Sequence, residues 1–388
     1  MPLPSLTATV RTRAIRKRGT QKWFLACVAL LSIASCAYLQ DFRDERPGIR
    51  MSELRTAPGY TVNLMSDSLP KARQMALGDR GTLFVGSGAG KVYALTMDGA
   101  RVLNTRTILQ GMTDSQGIAF LDGSLFVSDR TRVLRYDKIE ERLDQPPSPV
   151  EVLIGMPEKP RHGAHVMRVG PDRKLYIAIG APCNVCLPTG DEFGVIVRID
   201  SNGGAKELVA RGIRNSVGFD WHPGSGELFF TDNGQDELGI DRPNDELNRV
   251  TRLGEHFGFP YCHDRSIPDP QFGSARPCSD FTAPAFGLGA HVAALGMRFY
   301  DPNPTRRTDP AFIVVARHGS HPPTRVGYDV VTVDLKDGAP VAMKPLLTGF
   351  LKGQSYWGRP TDVLVLPTGD VLISDDLNGA IYRLAPIR

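Results

Sequence analysis

Val169-Gly170-Pro171-Asp172-Arg173-Lys174-Leu175-Tyr176-Ile177, closed by Val195-Ile196-Val197-Arg198-Ile199, is the stretch that decides the fold. An apolar strand runs into a Gly-Pro-Asp turn, a second strand follows, and a third closes the unit. The plan recurs at Gly78-Asp79-Arg80-Gly81-Thr82-Leu83-Phe84-Val85 with residues 91–95, and at Leu121-Asp122-Gly123-Ser124-Leu125-Phe126-Val127 with residues 132–136. It returns at residues 226–230 with 246–250, and at 367–373 with 380–384. Leu83, Leu125, Leu175, Leu228 and Val371 hold equivalent places, and the widest interval leaves room for one more unit, residues 311–315 with 328–333. Six units of β-meander predict an all-β chain folded as a six-bladed β-propeller. A meander that closes on itself removes its sheet edges, which keeps so much strand soluble.

No long amphipathic helical period interrupts the repeats, and 40 Gly with 30 Pro suit a loop-rich all-β chain. Residues 59–65 are expected to form an outer strand that helps close the ring. The longest departure from the repeat, residues 257–290, is expected to cap one face. The propeller is expected over residues 54–388, with no second domain.

The N-terminus reads differently. Arg11, Arg13, Arg16, Lys17, Arg18 and Lys22 form a basic region without an acid, ahead of a short apolar run from Trp23 to Ala34. That run is about half to two-thirds of a bilayer span, so it reads as an export signal and not as an anchor helix. It ends Ile33-Ala34-Ser35-Cys36, which resembles a lipobox, with residues 1–35 as lipoprotein signal peptide, Cys36 acylated, and 36–53 as a linker. Ordinary cleavage with Cys36 incidental is the alternative. In a Gram-negative host the destination is the periplasm or outer membrane. Removing residues 1–35 turns the formal net charge of +4 into −2, so nothing electrostatic points to nucleic acid.

Four cysteines remain in the mature chain: Cys183, Cys186, Cys262 and Cys278. An even count in an exported chain reads as two disulfides, and sequence proximity favours Cys183–Cys186 and Cys262–Cys278. Cys-Asn-Val-Cys as a redox pair or half a zinc site is the competing reading.

The chemistry concentrates between His162 and Asn248. His162-Gly163-Ala164-His165, Arg214-Asn215-Ser216-Val217-Gly218 and Thr231-Asp232-Asn233-Gly234-Gln235-Asp236 are polar beside strand-like segments. A base, a guanidinium and a loop of exposed carbonyls suit oxidation by a quinone with calcium. With Gly258-Phe259-Pro260-Tyr261-Cys262, His318-Gly319-Ser320, Gly358-Arg359-Pro360 and Ser374-Asp375-Asp376, these segments carry a family resemblance. The chain from about residue 54 to 387 resembles the soluble pyrroloquinoline-quinone (PQQ) dependent glucose/sorbosone dehydrogenases, particularly their sorbosone and pyranose dehydrogenase branch.

The resemblance implies oxidation of an aldose or sorbosone-like sugar with PQQ and Ca2+ as cofactors. His162 maps to the general base, with His165 as its rival, while hydride passes to the quinone C5. Arg214 maps to the arginine that polarises the C5 oxygen, Asn215 to a neighbouring cofactor donor, and Asp245 to an acid that would fix the imidazole tautomer. Gly234 and Gln235 map to the loop whose backbone carbonyls bind calcium. Arg325 and Arg359 map to cations for the PQQ carboxylates, with Arg317 and His318 as alternatives. Val217 and Thr361 stand where the family has a glutamine and a second arginine. No haem-attachment Cys-x-x-Cys-His is present in the sequence, so a separate electron acceptor is implied. Two other functions compete. A calcium-dependent lactonase would recruit Asp375, Asp376 and Asn215, and a non-catalytic binding propeller would need none of these.

Overall fold

The computed structural model describes residues 47–99, 101–158, 162–301, 312–320 and 324–387. The expected signal peptide, Cys36 and the linker as far as residue 46 lie outside the described residues. Six antiparallel sheets follow one another along the chain, each strand pairing with the next. Blade 1 holds Ala72–Leu77, Leu83–Ser87, Lys91–Asp98 and Arg101–Gln110; blade 2 holds Ile118–Leu121, Ser124–Asp129, Arg132–Tyr136 and Val150–Ile154. Blade 3 holds Met167–Val169, Leu175–Ile179, Val195–Ile199 and Glu207–Arg211; blade 4 holds Gly218–Trp221, Leu228–Asp232, Asn244–Val250 and Phe286–Ala290. Blade 5 holds Ala294–Tyr300, Phe312–Arg317, Asp329–Lys336 and Ala339–Thr348. Blade 6 takes Pro360–Val365, Val371–Asp375 and Ala380–Pro386 from the C-terminal end and Tyr60–Ser66 from the N-terminal end. The six-bladed propeller is the fold.

Each unit found in the sequence supplies the second and third strands of a blade. Those second strands are apolar on consecutive residues because both faces are covered. In blade 1, Leu83 and Val85 pack toward Leu372 and Ile381 of blade 6, while Phe84 between them packs toward Ile118 and Leu125 of blade 2. The same alternation puts Leu228 and Phe230 against blade 3 and Phe229 against blade 5. A hydrophobic layer thus lies between every pair of neighbouring blades, including the sixth and the first. The outer strand Arg101–Gln110 has one covered face and is mostly exposed, so it is rich in polar residues.

Tight turns follow local chemistry. Asp122 and Gly123, both at positive φ, join strands paired through Leu121 and Ser124, the two-residue hairpin for which Asp-Gly is suited. Tyr60–Ser66 seals blade 6 antiparallel to Ala380–Pro386, as the outer strand expected at residues 59–65.

The expected insertion at 257–290 needs correction at its far end. Phe286–Ala290 is the outermost strand of blade 4, paired with Asn244–Val250. The true excursion precedes it and begins by pairing Glu255–His256 in parallel with the outer edge of blade 3. Strand periodicity failed there because two glycines, Gly287 and Gly289, sit in that strand. Both disulfides form, Cys183–Cys186 and Cys262–Cys278, the second inside this excursion.

First strands of neighbouring blades are joined by side chains. Gln74 of blade 1 accepts from the amides of Met167 (3.1 Å) and Ile118 (3.0 Å) and donates to the Met167 carbonyl (2.6 Å). Asp362 of blade 6 accepts from the Met75 amide of blade 1 at 2.9 Å, and Asp220 of blade 4 accepts from Phe299 of blade 5 at 2.9 Å. Buried amides find partners that no sheet supplies.

Candidate active site

Loops flanking blades 3, 4 and 5 enclose a cavity of about 700 Å³. His162, Arg214, Asn215, Gly234 and Asp245 line it, together with Asn233, Asp236, Glu237, His291, His318 and Ser320. Five of the residues singled out from sequence are therefore brought together around one cavity.

His162 sits on the segment entering blade 3. Its Nδ1 lies 2.8 Å from the Ala181 carbonyl, which can only accept. The proton is therefore on Nδ1 and the basic lone pair on Nε2. Gly180 makes the approach feasible, since a Cβ there would stand 2.5 Å from the Cβ of His162. His165 has a different role. It is buried outside the cavity lining at positive φ, and burial pushes its pKa down to about 4, so it is a neutral core histidine.

Arg214 and Asn215 lie between the outer strand of blade 3 and the first strand of blade 4, and their amides are held by the end of Leu228–Asp232. The Asp232 carboxylate closes that strand and accepts from the amides of Arg214 (2.9 Å) and Asn215 (2.6 Å). Burial raises Asp232 to about 7 despite those bonds and the guanidinium nearby. The Arg214 side chain donates from Nε to Asn184 O (3.0 Å), from Nη1 to Asn233 O (3.2 Å), and from Nη2 to Asn184 Oδ1 (2.6 Å) and Asp236 (3.2 Å). Asn215 donates from Nδ2 to Asn233 Oδ1 at 3.0 Å.

Asp245 was expected to hold the histidine tautomer, and the structure corrects that. Its oxygens accept from the amides of Gly234 (2.9 Å) and Ala294 (3.0 Å), tying the blade 4 loop to the start of blade 5, while Ala181 holds the imidazole. Burial raises the Asp245 carboxyl to about 6. Gly234 lines the cavity, but Gln235 does not; its buried side chain accepts from the Glu237 amide and stiffens the loop from behind.

Arg325 and Arg359 also need correction, since neither lines the cavity. Thr324 and Val326 face it, whereas Arg325 between them is turned outward, donating to Gln354 O at 2.9 Å and lying 4.6 Å above the Tyr356 ring. Arg359 is spent on Asp376, with Nε at 3.1 Å and Nη2 at 3.0 Å. Asp376 also accepts from Arg73 at 2.7 Å and from Nε2 of His318 at 3.1 Å. Burial alone would raise the Asp376 carboxyl; His318 and the two guanidiniums outweigh it and hold it well below the usual carboxylate range. Burial pushes His318 down to about 4, so His318 is the neutral cavity-facing end of an ion-pair cluster. Arg317, the other alternative, is bidentate to Asp329.

Val217 is apolar because it packs in the layer between blades 3 and 4, and the Thr361 hydroxyl donates to the Arg359 carbonyl. The carboxylates a lactonase-type calcium site would recruit are in structural use: Asp375 accepts from Asn378 Nδ2, the Tyr382 hydroxyl and the Arg359 amide. Sequence reasoning assigned no part to Asn184, Asn233 or His291. Asn184 stood between two closely spaced cysteines and Asn233 within the polar 231–236 segment, while His291 carried no local signal.

The lining fits calcium in kind. Gly234, Asp236, Glu237 and Asp245 make an oxygen-rich side suited to calcium. Among the described residues no three His, Cys, Asp or Glu side chains converge as a metal site, so backbone oxygens would have to contribute. One lining guanidinium against three carboxylates would repel a tricarboxylate ligand unless a cation were present as well.

A family model described as TrAA12-like matches residues 54–385. An uncharacterised protein of Borreliella burgdorferi is 32% identical over 349 residues, covering 86% of this chain and 91% of that one. Among solved structures, a calcium structure of the Trichoderma reesei carbohydrate-active enzyme of family AA12 superposes with a TM-score of 0.76 at 20% identity, covering 86% of this chain and 97% of that one. The holo form of the pyranose dehydrogenase PQQ domain from Coprinopsis cinerea superposes with a TM-score of 0.71 at 18% identity, covering 85% and 96%.

Proposed function

The chain belongs to the TrAA12-like family, and from that membership we propose that it is an oxidoreductase oxidising an aldose or sorbosone-like sugar with PQQ and calcium. The observation that supports this reading is His162, its Nδ1 committed to the Ala181 carbonyl, lining the same cavity as Arg214 and Gly234. Bound there, PQQ would accept a hydride and calcium would act as Lewis acid on it. The protein does the rest. Nε2 of His162 takes the proton of the sugar hydroxyl as the C–H bond breaks and the carbonyl forms. Arg214, permanently charged and planar, holds the oxygen on which negative charge develops. Gly234 and Asp245 would offer oxygens to calcium, with the Gln235 side chain accepting from the Glu237 amide behind the loop. Electrons then leave to a separate acceptor.

We infer further that the protein is exported and lipid-anchored through Cys36. Cys36→Ser should abolish labelling by a lipid probe; continued labelling would refute the anchor. For the activity, apoprotein given PQQ and calcium should oxidise a member of a sugar panel with an artificial electron acceptor. Failure to bind PQQ would end the dehydrogenase reading.

A further inference from the structure

We propose that Asn184 is a positioning residue for Arg214, held in place by the Cys183–Cys186 disulfide; its catalytic meaning rests on the role of Arg214 given above. Arg214 is only 5% exposed. One residue takes the two donors along one edge of its guanidinium, Nε through the Asn184 carbonyl and Nη2 through Oδ1. Two parallel bonds to one partner fix the plane of a guanidinium as well as its position. Asp236 also meets Nη2, at 3.2 Å, but its side chain is 56% exposed and water screens the pair. Oδ1 of Asn184 additionally faces the Asp236 amide at 3.4 Å, so the amide group is oriented by donors and cannot flip without losing them.

No strand holds Asn184. It lies in the irregular segment between Leu175–Ile179 and Val195–Ile199, where the backbone would otherwise sample many conformations. The disulfide closes a loop of four residues around it, with the two Cα atoms 6.0 Å apart. The staple therefore restrains the residue that aims the guanidinium, which explains a covalent link between cysteines so near in sequence.

The test uses the apoprotein and needs no turnover. Phenylglyoxal modification, followed peptide by peptide with mass spectrometry, should find Arg214 protected. Asn184→Ala should speed its modification roughly tenfold to a hundredfold, the range set by losing a hydrogen bond to a charged group. Cys183→Ala with Cys186→Ala should do the same, Asn184→Asp should keep protection, and Cys262→Ala with Cys278→Ala should leave Arg214 unchanged. Arg317, paired with Asp329 elsewhere, is the internal control for global opening. Should Asn184→Ala open the whole fold, Asn184→Ser, which keeps the carbonyl but cannot reach Nη2, replaces it with the same expectation. In turnover, kcat should fall while the sugar KM holds. Equal Arg214 reactivity in wild type and the Asn184 variants overturns the proposal. Altered reactivity without any sugar oxidation would sink the dehydrogenase reading and leave this one standing.

Discussion

His162 owes its tautomer to a backbone carbonyl, which accepts from Nδ1 at 2.8 Å. His162→Ala should therefore lose about 10²–10⁴ in kcat, the usual worth of a general base, with PQQ affinity measured by titration unchanged. A loss of affinity as large as the loss of rate would make it a binding residue. Asp245 gives a second test. The folded protein keeps its proton up to about 6, well above the ordinary carboxylate range. Its stabilising contribution is therefore complete in acid and is lost as pH rises through about 6, with Asp232 at about 7 adding in the same direction. A shift of two pKa units is worth about 3 kcal/mol. Urea unfolding in chelator at several pH values should show stability falling through this window, and Asp245→Asn should flatten the fall while lowering stability throughout. His162, Arg214, Asn215 and Gly234, named from the family resemblance, lie in loops between strands and share the lining of one cavity. Arg325 and Arg359 were not legible as outward or spent, because loop side-chain direction and the distant partner Asp376 decide them.

At the scale of elements, strands with both faces covered announced themselves as unbroken apolar runs, and all six second strands were read correctly. Phe286–Ala290 was not, since its glycines erase the pattern and only pairing with Asn244–Val250 makes it a strand. Equally invisible were the side chains that join first strands across blades. Gln74 alone satisfies two amides and a carbonyl of blades 2 and 3. Gln74→Leu should cost at least about 3 kcal/mol, because three buried groups lose their partner at about 1–3 kcal/mol each. Denaturant titration measures it, and a loss under about 0.5 kcal/mol would show that water replaces the amide.

For the whole molecule, the cavity joins loops of blades 3, 4 and 5, so a cation bound there should stabilise more than one blade. Calcium should raise the thermal midpoint saturably and chelator reverse it, by about 2.7 kcal/mol at a hundredfold excess over Kd. An unchanged midpoint would remove calcium from the wall of Gly234, Asp236 and Asp245. The closure of blade 6 has a consequence in time. Tyr60–Ser66 leaves the ribosome far ahead of Ala380–Pro386, the strand it must meet. Arg55–Thr56 can pair with Ala339–Thr348 of blade 5 once that strand is made, but Tyr60–Ser66 has no partner until Ala380–Pro386 arrives. Closure is the pairing of longest sequence separation and so carries the largest loop-closure entropy. A chain that ends before Ala380 therefore lacks the partner of Tyr60–Ser66 and leaves that strand an open edge, so limited proteolysis of such a truncation should cut within residues 60–66, where the full chain resists.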